Sequence, residues 1–145
     1  MEQLLKLQSL MLSKYKKVML VDDNEVDLKI NSKIISISKL FDETILCQSG
    51  EEALSYLSKH IDDVSNLPDF ILLDIQMPEM DGFEFLEIYK KFPASVTDKC
   101  LIAILSSTLD FGDIKKAEAN PHVIKLLKKP LFPQELEKLL HKYFA

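Results

Sequence analysis

Two apolar runs far apart in the chain end in acids. Val18-Met19-Leu20-Val21 leads into Asp22-Asp23, and Phe70-Ile71-Leu72-Leu73 leads into Asp74. A third run, Val123–Leu127, is followed by Lys128-Lys129-Pro130. Three carboxylates brought within a few ångströms repel one another unless a cation compensates them. Oxygen ligands with no His or Cys nearby favour Mg2+ or a similar hard ion, which keeps several waters and so has room for a phosphoryl oxygen. Lys129 would add a point positive charge, and Ser106, after Leu101–Leu105, a hydroxyl donor. With the ion they can neutralise charge on three phosphoryl oxygens during transfer to a carboxylate nucleophile. Asp74 is the natural nucleophile, while the adjacent Asp22 and Asp23 suit holding the ion directly and through water.

Five apolar runs could position these groups: Lys17–Val21, Thr44–Cys47, Phe70–Ile75, Leu101–Leu105 and Val123–Leu127. Several are continuously apolar, as expected of strands covered on both faces. Helical patterns lie between them. Val26, Ile30, Ile34 and Ile37 mark the first, and Ala53, Leu54 and Leu57 the second, with Ser49 as N-cap and Glu52 three residues on. Phe83, Leu86, Tyr89, Lys90 and Phe92 outline the third, and Phe111 to Ala119 forms the fourth, after Asp110 and before Asn120-Pro121. The fifth starts at Pro133 and carries Leu136, Leu139 and Leu140 on one face.

Strand and helix alternating five times predict an α/β fold, a doubly wound (βα)5 sandwich on a parallel sheet. In such sheets ligands bind beyond the carboxyl ends of the strands, where strand order reverses. For a five-stranded sheet of order 2-1-3-4-5, the flavodoxin-like arrangement, that point lies between strands one and three. Asp22, Asp23 and Asp74 follow those two strands. The reading divides the chain into an N-terminal helical extension over 1–15, with Leu4, Leu7, Met11 and Tyr15 at helical spacing, and one domain over 16–145.

At 145 residues and 47% hydrophobic, the chain can bury roughly two thirds of its unfolded surface in a single core. A net charge of −5 speaks against a basic nucleic-acid face and favours cation or protein partners. Cys47 and Cys100 form no CxxC and sit in or beside apolar runs, which fits a reducing compartment. No stretch reads as a signal peptide or a membrane span, so cytoplasmic residence is expected.

Each candidate has a plainer reading. Asp22-Asp23 alone would serve as a helix N-cap, and Ser106 as a strand-end turn residue, with Ser107 as the alternative hydroxyl. Adjacent lysines at a strand end point to opposite faces, and the following proline favours Lys129 over Lys128. His60, His122 and His141 are scattered among charged residues and read as surface histidines.

Val21-Asp22-Asp23-Asn24, Leu73-Asp74-Ile75-Gln76-Met77-Pro78-Glu79-Met80-Asp81-Gly82, Leu105-Ser106-Ser107 and Lys129-Pro130 occur in the order found in receiver domains of two-component response regulators. From about Lys16 to Tyr143 the chain resembles that family. The resemblance implies that Asp74 accepts a phosphoryl group from a phosphohistidine of a sensor histidine kinase or histidine phosphotransfer protein. It also implies that Asp23, Asp74 and the Gln76 backbone carbonyl bind Mg2+ with support from Asp22. Ser106 would be the switch hydroxyl and Lys129 the phosphate-pairing lysine, with a cis Lys129-Pro130 bond, and Gln76 and Thr108 would flank the phosphoryl group.

The chain departs from the family at Leu126, where many receivers carry an aromatic residue. The resemblance further implies a phosphoacceptor rather than a separate enzyme. It would act on an unidentified downstream protein, as a monomer or a phosphorylation-promoted dimer, without nucleic acid or membrane. An electron carrier on the same sheet is disfavoured because Asp22-Asp23-Asn24-Glu25 would repel a flavin phosphate. A haloacid-dehalogenase phosphatase is disfavoured because its Asp-x-Asp nucleophile after strand one is missing.

Overall fold

A computed structural model describes residues 1–4 and 15–144. Glu2–Leu4 is helical with Leu4 exposed. Residues 5–14 of the predicted N-terminal extension, with Leu7 and Met11, lie outside the described residues, and Tyr15, expected at its helical spacing, instead opens the first strand by pairing with Phe41.

The chain runs β1 (Tyr15–Val21), α1 (Glu25–Ser38), β2 (Phe41–Cys47), α2 (Gly50–Lys59), β3 (Phe70–Leu73), α3 (Gly82–Tyr89), β4 (Leu101–Ser106), α4 (Phe111–Ala119), β5 (Val123–Lys128) and α5 (Pro133–Phe144). Single helical turns at Val64–Asn66 and Ala94–Thr97 precede β3 and β4. The five strands form one parallel sheet, as the alternation predicts, in the expected flavodoxin-like order β2-β1-β3-β4-β5.

The period-2 alternation of a strand sorts side chains between the two faces. Met19, Val21, Ile71, Leu73 and Ile102 pack against Ala53 and Leu57 of α2 and Phe85, Leu86 and Tyr89 of α3. Val18, Leu20, Phe70, Leu72, Ala103 and Leu105 pack on the opposite side against Leu28 and Ile35 of α1 and Leu136, Leu139 and Leu140 of α5. Because both faces are covered, β1 is apolar from Val18 to Val21 and β3 throughout, and each fully buried side chain contributes about 1.5–3 kcal/mol.

Several boundaries and one face differ from the sequence reading. β2 starts at Phe41 rather than Thr44, since Lys17 of β1 pairs with Glu43 at 3.3 Å and the polar residues Asp42 and Glu43 are tolerated on an edge strand. β3 ends at Leu73 rather than Ile75. The Asp74 amide makes a last rung to the Val21 carbonyl (2.9 Å), and the Ile75 carbonyl then accepts from Gly82 (2.8 Å). In α1 the expected core face is turned toward solvent: Val26, Ile30 and Ile37 are 65%, 49% and 68% exposed, and only Ile34 of that stripe packs inward. The buried positions are Leu28, Asn31 and Ile35. Apolar residues occur around most of this helix, and the polar Asn31 interrupts the stripe that faces the sheet, so periodicity alone selected the wrong phase. Of the three histidines read as surface residues, His141 is exposed, while His60 and His122 are half-buried, the first with its ring 4.6 Å from Tyr56 and the second edge-on to Tyr89 at 5.4 Å.

Candidate functional site

The β1–β3 register fixes the site. Val21 stands beside Leu73, so the residues that follow, Asp22 and Asp74, leave the sheet side by side. The Asp22 amide is held by the Cys47 carbonyl (3.0 Å) and the Asp74 amide by the Val21 carbonyl (2.9 Å). Carboxylate oxygens of Asp22, Asp23 and Asp74 lie within 4.8 Å of one another. Asp22 and Asp74 are buried and Asp23 is exposed.

Asp22 is tied at both oxygens. Oδ1 accepts from the Asn24 amide (3.0 Å) and Oδ2 from the Lys129 Nζ (2.7 Å). Asn24 in turn caps α1, its side chain accepting from the amides of Val26 and Asp27, both at 3.0 Å.

Lys129 enters from the end of β5, where its amide donates to the Ser106 carbonyl (2.9 Å) and its bond to Pro130 is cis, as expected. Its side chain is 9% exposed, whereas Lys128 faces solvent. Nζ meets Asp22 Oδ2 at 2.7 Å, Asp27 Oδ2 at 2.9 Å and Asp74 Oδ2 at 3.4 Å. Burial opposes the Lys129 charge, yet the hydrogen bonds it donates to Asp22 and Asp27 outweigh it and hold the ammonium above its ordinary range. Asp74 is served least well. Its burial outweighs the pull of Lys129, the nearby Asp22 adds repulsion, and its carboxyl is pushed up to about 6.

Ser106 is fully buried and its hydroxyl donates to the Thr108 carbonyl (3.3 Å), while Ser107 and Thr108 are exposed. Gln76 is exposed, and among the described residues no main-chain hydrogen bond ends on its carbonyl. Leu126, at the position of the missing aromatic, is half-buried against Ile75, Ile104 and Ala117. The structure thus brings together Asp22, Asp23, Asp74 and Lys129, with Ser106 at the end of β4 and Gln76 in the loop that follows Asp74.

Sequence reasoning missed two residues. Asp27 occupies the third position of α1, where an acid after an Asn cap reads as an ordinary first-turn carboxylate; the helix instead carries it to Lys129. Asn31, one turn further and buried, shares a small pocket with Asp22, Asp74, Leu28, Leu72 and Leu105. The spacing of Asp27 and Asn31 by four residues was the available signal, since it places both along one side of α1.

Gly82 closes the loop behind Asp74. A Cβ at this position would stand 2.6 Å from the Asp74 carbonyl oxygen and 2.9 Å from the Ile75 Cα. Both neighbours are backbone, so the loop itself must move. Gly82→Ala is expected to lower stability by about 1–3 kcal/mol, read as a shift in urea midpoint, and to displace Asp74, read as weaker divalent-cation binding.

An all-oxygen acidic cluster at the switch point, with a buried lysine on it, suits a hard cation and an incoming anion. Comparison with known proteins agrees. The family model for the response regulator receiver domain matches residues 18–141. The polar-differentiation response regulator DivK of Brucella ovis is 31% identical over 127 residues, 86% of this chain and 96% of DivK. Hybrid signal transduction histidine kinase L of Dictyostelium discoideum is 31% identical over 131 residues, 88% of this chain, which spans 7% of that kinase. Among solved structures, a two-component response regulator from Cytophaga hutchinsonii superposes with a TM-score of 0.82 at 31% identity, covering 89% of this chain and 96% of that one. A receiver protein from Dyadobacter fermentans gives 0.75 at 36% identity, covering 90% and 98%. With the strand order, the acids and the family model in agreement, the chain belongs to the response regulator receiver domain family.

Proposed function

We propose that this receiver accepts a phosphoryl group on Asp74 from a phosphohistidine of a sensor kinase or phosphotransfer protein, with Mg2+ held by Asp23, Asp74 and the Gln76 carbonyl and supported by Asp22. The carrying observation is the convergence of Lys129 Nζ on Asp22 and Asp74 beside the exposed carboxylate of Asp23. Asp22, with both oxygens engaged by Asn24 and Lys129, fits a supporting role better than a direct one. The cluster fits a hard divalent ion because every donor is oxygen and one acid remains open to solvent. When bound, such an ion supplies positive charge opposite the transferring phosphoryl oxygens.

In the transfer, an Asp74 carboxylate oxygen attacks phosphorus, and the phosphorus–nitrogen bond to the donor imidazole breaks with its electron pair leaving on nitrogen. Burial makes Asp74 more basic than an ordinary aspartate while leaving it mostly ionised at neutral pH. Lys129 then pairs with the new anion, and Ser106 exchanges its bond to the Thr108 carbonyl for one to a phosphoryl oxygen. Catalysis is confined to the protein's own phosphorylation and dephosphorylation. Output passes to a partner protein in the cytoplasm, with the half-buried Leu126 in place of a rotating aromatic. The exposed Val26 and Ile30, on the helix that opens beside the acids, offer apolar contact to the phosphodonor protein.

Incubation with Mg2+ and acetyl phosphate tests the reading. Intact-mass measurement is expected to show one phosphoryl group per chain, lost with EDTA and in Asp74→Asn. Stoichiometric labelling of Asp74→Asn would contradict the assignment.

A further inference from the structure

Lys129 has three N–H donors and three carboxylate partners, and those partners are not equivalent. Asp22 and Asp74 belong to the acidic cluster able to hold a cation, and Asp74 is also where the proposed phosphoryl group arrives. Asp27 lies outside that cluster. It sits on the first turn of α1, its amide donating to the Asn24 side chain, and its side chain is 34% exposed against 7% and 8% for Asp22 and Asp74. When an ion and a phosphoryl group occupy the other two acids, Asp27 remains as the counter-charge of Lys129.

From this geometry we infer that Asp27 is a positioning residue that clamps Lys129 and competes with the phosphoryl group for it. The inference rests on the phosphoacceptor reading above. The carboxylate subtracts from the charge Lys129 presents to an anion on Asp74, and it adds negative charge of its own at the mouth of the site. Both effects weaken retention of the phosphoryl group, so Asp27 sets how firmly that group is held without touching it.

Beryllofluoride binding at saturating Mg2+ provides the test, on the wild type and on Asp27→Asn and Asp27→Glu. The Asn side chain keeps the size and an acceptor oxygen but loses the charge. Beryllofluoride affinity is expected to rise about 3- to 10-fold in Asp27→Asn, the order expected for removing one partly screened charge at this range, and to return toward wild type in Asp27→Glu. The Lys129 Nζ resonance of the ligand-free protein is expected to move in Asp27→Asn and not in Asp27→Glu. Equal or weaker beryllofluoride binding by Asp27→Asn overturns the inference. A tenfold or greater loss of Mg2+ affinity measured without beryllofluoride also overturns it, by making Asp27 part of the metal site. Failure of the wild-type protein to bind beryllofluoride would instead refute the phosphoacceptor reading.

Discussion

Lys129→Met is expected to lower the unfolding free energy by about 3 kcal/mol at pH 7 in EDTA, the scale found when one partner of a buried ion cluster is removed. Three carboxylates share the Lys129 ammonium at 2.7, 2.9 and 3.4 Å, and two of them are buried. A methionine keeps the length and apolar stem but leaves the acids facing one another without their cation. Mg2+ is expected to restore most of the loss, because an ion in the same cluster replaces the missing charge. The affinity for Mg2+ should rise at the same time, since Lys129 competes with it for Asp22 and Asp74. Urea unfolding with EDTA and with Mg2+ measures both effects. A variant as stable as wild type in EDTA would show that the lysine is not what holds these acids together.

Asp74→Asn is expected to abolish phosphorylation and yet stabilise the cation-free protein by roughly 3 kcal/mol at neutral pH, following from the energy equivalent of its shift. Asp74 rises from 3.8 to about 6 on folding, chiefly through burial. Between those values the folded chain binds more protons than the unfolded one, so stability falls as pH rises through that window and levels off above it. This contribution to the pH dependence should be missing in Asp74→Asn and suppressed by Mg2+, which favours the ionised carboxylate. Midpoints of urea unfolding from pH 4 to pH 8 test it, and an identical pH profile in wild type and Asp74→Asn would refute it. The proposed phosphoacceptor role would account for an acid placed where it costs stability, a trade-off common at functional sites.

The parts of this molecule that were legible in the sequence are those in which one residue type serves one demand. Continuous apolar runs such as Phe70–Leu73 give a strand covered on both faces, and the alternation of five such runs with helices gives a doubly wound parallel sheet, whose order follows the flavodoxin-like arrangement. The acids at two strand ends follow from the same rules, and the structure places Asp22, Asp23, Asp74 and Lys129 together. Less legible were features decided by three-dimensional neighbours. The phase of α1 depends on Asn31, a polar residue on the buried side, which hydrophobic periodicity counts as solvent-facing. Asp27 had an adequate local explanation as a first-turn acid, so nothing in one dimension tied it to a lysine 102 positions away. The early end of β3 comes from the approach of Gly82 to the Ile75 carbonyl, a contact between the start of α3 and the loop that follows β3.

The most direct test of Asp74 as acceptor is to trap the acyl phosphate chemically. The protein is treated with Mg2+ and acetyl phosphate, reduced with borohydride and digested, and the peptide spanning residue 74 is sequenced by mass spectrometry. Reduction converts a phosphorylated aspartate to homoserine, and homoserine is expected at position 74 alone, in amounts that fall to background when Mg2+ is chelated. Homoserine at Asp22 or Asp23 in place of Asp74, or at no position, would contradict the assignment of these acids.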